Sequence, residues 1–144
     1  GPGIMEAANK GSSLADSESI GFNASLPFEQ ITNRYFSPEL NFEFHYFFMR
    51  MLWFVDLAEA LIAFPDGYGT CDELMEVRAL IQTGKIQKKI PILLYGREYW
   101  DEIINFVAML QWNMVSPENL DLFQFVDSPE EAVSYIQRHI RVKG

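Results

Sequence analysis

Ala60–Val77, ALIAFPDGYGTCDELMEV, is the segment on which the reading of the whole chain turns. Ala60 to Phe64 is an apolar run of the length expected of a buried parallel strand. Pro65 to Thr70 is a turn carrying two glycines. From Cys71 to Thr83 the chain reads as a helix, with Leu74, Val77 and Ile81 on one stripe and Gly84 at its end. A strand, turn and helix in this order aim unpaired backbone amides, and the positive end of the helix dipole, at whatever lies beyond the strand. That is the physics of a phosphate site at the carboxyl end of a parallel strand. Thr70 adds a hydroxyl. The turn is neither a Walker motif, since no Gly-Lys-Thr follows, nor a full GxGxxG. Asp66 also puts a negative charge where a phosphate would sit. On pattern alone the stretch is a working cradle, a damaged one, or a simple connection.

Outward from this stretch the same alternation continues. Ile4 to Lys10 is a short helix closed by Gly11, and Ser19 to Ser25 is a short strand ended by Leu26-Pro27. Asn33 to Phe42 reads as a loop or ragged extended segment. Glu43 to Glu59 is apolar, aromatic and too long for a strand, so it reads as a helix. Ile90 to Tyr95 is a second buried strand, Tyr99 to Trp112 is helical, Leu122 to Val126 is a last strand and Pro129 to Ile140 a terminal helix. Strands alternating with helices predict an α/β fold with a parallel sheet covered on both faces, in one domain spanning residues 1–144.

With 144 residues, 49% of them hydrophobic and 15% aromatic, the chain is long and apolar enough to bury a core. No apolar run approaches the ~20 residues of a membrane span, and no signal-peptide pattern is present. One cysteine excludes an internal disulfide and fits a reducing, cytoplasmic setting. Eleven basic against twenty acidic residues, a net charge of −9, disfavours nucleic acid as a partner. It does not exclude a small anion held locally by a helix start and one arginine. The opening Gly1-Pro2 reads either as a tag scar or as a junction inside a longer domain.

Several side chains carry a chemical and a plain reading together. Glu73 follows Thr70 at the spacing of a capping box, which by itself needs no chemistry. Ser128 to Glu131 repeats that spacing. One turn from a phosphate cradle, however, the Glu73 carboxylate would reach a bound sugar. Arg50 is the one basic side chain in FHYFFMRMLWF, where an arginine needs an anionic or hydrogen-bonding partner or a route to solvent. His45 reads as structural. Cys71, in the first helical turn, reads as a small packing residue before it reads as a thiolate nucleophile. Neither Lys10 nor the Lys85, Lys88 and Lys89 group has the context of a pyridoxal phosphate lysine. No metal cluster is evident.

Taken in order, GPGIMEAANKG, SIGFNASLPFEQ, FHYFFMRM, PDGYGTCDE, KIPILLYGREYW and FVDSPEEA resemble the Lonely Guy (LOG) family, in particular its larger bacterial members. These are phosphoribohydrolases of nucleoside 5′-monophosphates, many once labelled lysine decarboxylases. The resemblance covers essentially the whole chain. It implies a Rossmann-like fold, a homodimer or higher homo-oligomer with sites near the subunit interface, and a reaction without a cofactor. The substrate would be AMP or a cytokinin riboside monophosphate. The family's catalytic arginine and glutamate fall on Arg50 and Glu73. Its phosphate turn falls on Gly67, Tyr68, Gly69 and Thr70, with Gly3, Met5 and Glu6 as further substrate-binding positions. Two positions depart from the family pattern: Asp66 replaces a glycine of PGGxGT, and Met51 replaces the lysine after the arginine. The family also has a strand-helix region with a glycine-rich loop ahead of GPGIMEA, so an upstream part is expected to be missing here. The alternative expectation is a catalytically silent nucleotide-binding or oligomerisation module.

Overall fold

The structure is a computed structural model that describes residues 3–24, 34–35, 38–44, 47–88 and 90–141. Its backbone separates into two compact units, Gly1–Leu57 and Ala58–Gly144. The fold is α/β and Rossmann-like, built on parallel strand pairing.

The second unit holds a three-stranded parallel sheet of β3 (Leu61–Ala63), β4 (Ile92–Tyr95) and β5 (Phe123–Val126), in that order. Leu61 pairs with Ile92, and Ile92 with Phe123, so each crossover returns to the neighbouring position. Helix α3 (Tyr68–Gln82) makes the first crossover. The second contains α4 (Arg97–Ile103), α5 (Phe106–Gln111) and a 3₁₀ segment at Pro117–Leu122. Helix α6 (Pro129–Arg141) closes the unit. In β4, Ile92, Leu93 and Leu94 are all buried, so both faces of the central strand are covered, which is why it reads as an unbroken apolar run. Leu93 packs with Val126 and Ala132, joining β4, β5 and α6, with Ile62, Tyr95, Tyr135 and Ile136 around them.

The first unit contains α1 (Ile4–Leu14), a parallel pair of β1 (Gly21–Ala24) and β2 (Asn41–Phe44), and α2 (Phe47–Leu57). Gly21 pairs with Asn41 and Ala24 with Phe44.

Several boundaries differ from the sequence reading. Gly11 does not end α1. The helix runs on to Leu14 and turns at Asp16, whose φ of 53° lies in the left-handed region, while the Ser12 hydroxyl donates to the carbonyls of Ser17 and Glu18. A glycine inside a helix costs only about 1 kcal/mol and need not stop it. Strand β2 straddles the end of the segment read as ragged extended chain and the start of the helix read from Glu43, so Glu43 and Phe44 lie in a strand and α2 begins only at Phe47. Four residues, Asn41–Phe44, are too few to show a period of two against the aromatic run that follows. The helix read over Tyr99 to Trp112 is two helices, because the Asn105 side chain accepts from the Ala108 amide and starts a new one. The Ser128 cap forms as read, accepting from the Glu131 amide at 3.2 Å, while the Glu131 carboxylate accepts from the Asp127 amide at 2.8 Å. Gly84, with φ 69°, ends α3 as expected. His45, Lys89 and the Leu26-Pro27 stop lie outside the described residues.

Candidate active site

The turn after β3 lies at the carboxyl ends of the three parallel strands, beside the loops that leave β4 and β5. These loops are tied to one another. The Gly96 amide donates to the Val126 carbonyl at 2.9 Å, and the Arg97 amide donates to the Asp127 carboxylate at 2.9 Å. Gly96 has φ 87°, and a Cβ there would come within 3.3 Å of Pro65 Cγ. The Tyr99 hydroxyl donates to the Asp66 carbonyl. Phe64 and Tyr95 stack obliquely, centroids 4.9 Å apart. The start of α4 therefore buttresses the turn.

Helix α3 begins earlier than its sequence pattern suggests, at Tyr68, with Gly67 as the N-cap. Thr70 is thus inside the first turn and cannot act as the cap, so Thr70 and Glu73 do not form the capping box that their spacing suggests. The Thr70 hydroxyl donates instead to Asp66 Oδ2 at 2.9 Å. The Gly67 amide donates to Asp66 Oδ1 at 2.8 Å. These two donors hold the Asp66 carboxylate below the usual carboxylate range, the Gly67 amide contributing most. The first bond of the helical ladder runs from the Cys71 amide to the Gly67 carbonyl, so the amides of Tyr68, Gly69 and Thr70 precede it.

The glycines do not supply unusual backbone angles. Gly67 is extended, with φ −83°, and Gly69 is helical. A Cβ at either would meet nothing within 4 Å, so what they leave open is space for close approach. Tyr68 stands between them, 96% exposed. Glu73 is half-buried one turn beyond Thr70, on the same side of the helix. Cys71 is half-buried and carries a free thiol.

Gly67, Tyr68, Gly69, Thr70 and Glu73 therefore come together on one turn and helix start in the second unit. Arg50, Gly3, Met5 and Glu6 belong to the first unit. Arg50 is half-buried on α2, Gly3 is the N-cap of α1 with φ 86°, Met5 is exposed and Glu6 half-buried. Met51 is 6% exposed, so the position that departs from the family lysine is packed. The buttress of Gly96, Tyr99 and Asp127 was not read from the sequence. A glycine directly after an apolar strand was its one local signal.

Among the described residues no group of three or more His, Cys, Asp or Glu could hold a metal, and no helix is long and apolar enough to cross a membrane. Lys10 and Lys85 are exposed, and Lys88 pairs with Glu59 at 2.8 Å. An open depression of about 430 Å³ lies between β5 and α6, lined by Gln124, Tyr135 and Arg138 among others, and no residue of the turn borders it.

Residues 5–136 match the sequence profile of a protein family described as possible lysine decarboxylase. The chain belongs to that family, the LOG family. A probable cytokinin riboside 5′-monophosphate phosphoribohydrolase of Oryza sativa subsp. japonica, LOGL6, is 30% identical over 90 residues, covering 59% of this chain and 36% of that protein. The cytokinin riboside 5′-monophosphate phosphoribohydrolase LOG1 of Arabidopsis thaliana is 31% identical over 90 residues, covering 59% of this chain and 42% of that protein. The chain thus matches about two fifths of the length of these LOG relatives.

Proposed function

We propose that this chain hydrolyses the N-glycosidic bond of nucleoside 5′-monophosphates, AMP or a cytokinin riboside monophosphate, to a free base and ribose 5-phosphate. The family match over residues 5–136 carries this reading. The turn at the start of α3, with Glu73 one turn along, supports it chemically. In the reaction the bond from the anomeric carbon to the base nitrogen breaks and the bonding pair leaves with the base. Water adds at the anomeric carbon, and the proton it loses ends on the departing base nitrogen, giving the neutral free base. The sugar passes through an oxocarbenium-like state. The Glu73 carboxylate stabilises that cation and orients or deprotonates the water. Arg50 positions the nucleotide and offsets negative charge building on the departing base. In this reading Gly67, Tyr68, Gly69 and Thr70 contact the 5′-phosphate end of the substrate, and Gly3, Met5 and Glu6 are further substrate-binding positions. The working assembly is a homodimer or higher homo-oligomer.

The test is release of free base, followed by chromatography, from a panel of purine, pyrimidine and cytokinin riboside monophosphates. The expected result is free base and ribose 5-phosphate in equal amounts from at least one purine monophosphate. Intact substrates across the panel would overturn the reading.

A further inference from the structure

Both oxygens of the Asp66 carboxylate are already engaged by the donors that open α3, Oδ1 by the Gly67 amide and Oδ2 by the Thr70 hydroxyl. A phosphate oxygen asks the same things of a helix start: amide and hydroxyl donors within the positive end of the dipole. The backbone that carries the carboxylate is fixed from the other side, by the Tyr99 hydroxyl on the Asp66 carbonyl and by Gly96 against Pro65. The amides of Tyr68, Gly69 and Thr70 still lie ahead of the helical ladder. A phosphate reaching them meets an anion of its own sign at close range, and two of the donors are taken.

We propose that Asp66 is the specificity-determining residue of this site, an internal anion that competes with the substrate's 5′-phosphate. The chain therefore takes the corresponding nucleoside, with a free 5′-hydroxyl, about as well as the monophosphate. This rests on the reading that the turn faces the 5′ end of a ribosyl substrate. An uncharged hydroxyl meets no repulsion, and the carboxylate oxygens keep lone pairs able to accept its proton.

The test is calorimetric binding of ribose 5-phosphate to the wild type, Asp66→Asn and Asp66→Gly. Asp66→Gly frees both donors and removes the charge. Asp66→Asn removes the charge but keeps an acceptor facing Gly67, and it carries the test if the glycine variant does not fold. The expected result is binding about 10- to 100-fold tighter for Asp66→Gly than for wild type, with Asp66→Asn between them. Equal affinities, or tightest binding by the wild type, would overturn the proposal. In turnover, the ratio of kcat/KM for AMP over adenosine should lie within about tenfold of unity in the wild type and rise at least tenfold in Asp66→Gly. A wild-type preference for AMP above about 100-fold would overturn it too. A gain in ribose 5-phosphate binding without turnover by any variant would support the role of Asp66 while removing the hydrolytic reading.

Discussion

The Thr70 hydroxyl meets the Asp66 carboxylate at 2.9 Å across the start of α3, so the turn supplies its own anion to the helix. The consequence is a pH signature. The folded-state pKa of Asp66 lies below the ordinary value of 3.8. Its ionised form therefore stabilises the fold above that value, and the contribution is lost as pH falls through the lower folded value. Asp66→Asn lacks this titration. The gap in Tm between wild type and Asp66→Asn should stay level from about pH 5 to 7 and narrow below about pH 4. Thermal melts across that range check it, and a gap that widens in acid would contradict it.

Gly96 is the point where α4 meets the turn. Its φ is 87°, and an added Cβ would stand 3.3 Å from Pro65 Cγ, so Gly96→Ala is strained both in backbone and in space. The expected cost is about 1–2 kcal/mol, read as a lower urea midpoint at unchanged slope. Ribose 5-phosphate binding should change as well, because Pro65 and Asp66 are adjacent.

Arg78 on α3 is 7% exposed. One guanidinium nitrogen donates to the Asn119 carbonyl at 3.1 Å, and the group lies 5.9 Å from the Phe123 ring centre. The other terminal nitrogen is buried without a hydrogen-bond partner among the described residues. Burial pushes the guanidinium pKa down, which marks a charge held at some cost. Arg78→Met, which keeps the stem, should therefore be within about 1 kcal/mol of wild type, whereas Arg78→Ala should cost about 2–4 kcal/mol. Chemical denaturation of both variants separates packing from charge.

Trp100 is fully buried, and its indole nitrogen donates to the Tyr95 carbonyl at 3.0 Å. Trp100→Ala should cost about 3–5 kcal/mol. Trp100→Phe should cost less but more than zero, since the Tyr95 carbonyl loses its donor. Equal stability of Trp100→Phe and wild type by urea denaturation would show that this bond contributes nothing.

Long apolar or amphipathic segments were legible in the sequence. The strands at 61–63, 92–95 and 123–126, the α3 stripe of Leu74 and Val77, and the Ser128 cap all follow from periodicity or turn chemistry. Strand β2 was hidden because four residues beside an aromatic helix carry no readable alternation. The start of α3 was misplaced because Tyr-Gly-Thr has weak helix propensity, and tertiary support from Tyr99 and Gly96 is non-local. For the site, the sequence named the turn and the charge conflict at Asp66. It could not show that the carboxylate had already taken Gly67 and Thr70 as partners, since that depends on backbone geometry.

Everything proposed for the reaction depends on Glu73 of α3 acting in N-glycosidic hydrolysis. The decisive measurement compares adenine release from AMP by wild type and Glu73→Ala, with Tm recorded for both. The expected result is release by the wild type, a loss of at least about 100-fold in Glu73→Ala, and a Tm change of a few degrees at most. Equal rates in the two proteins, or no release by a folded wild type, would contradict that role.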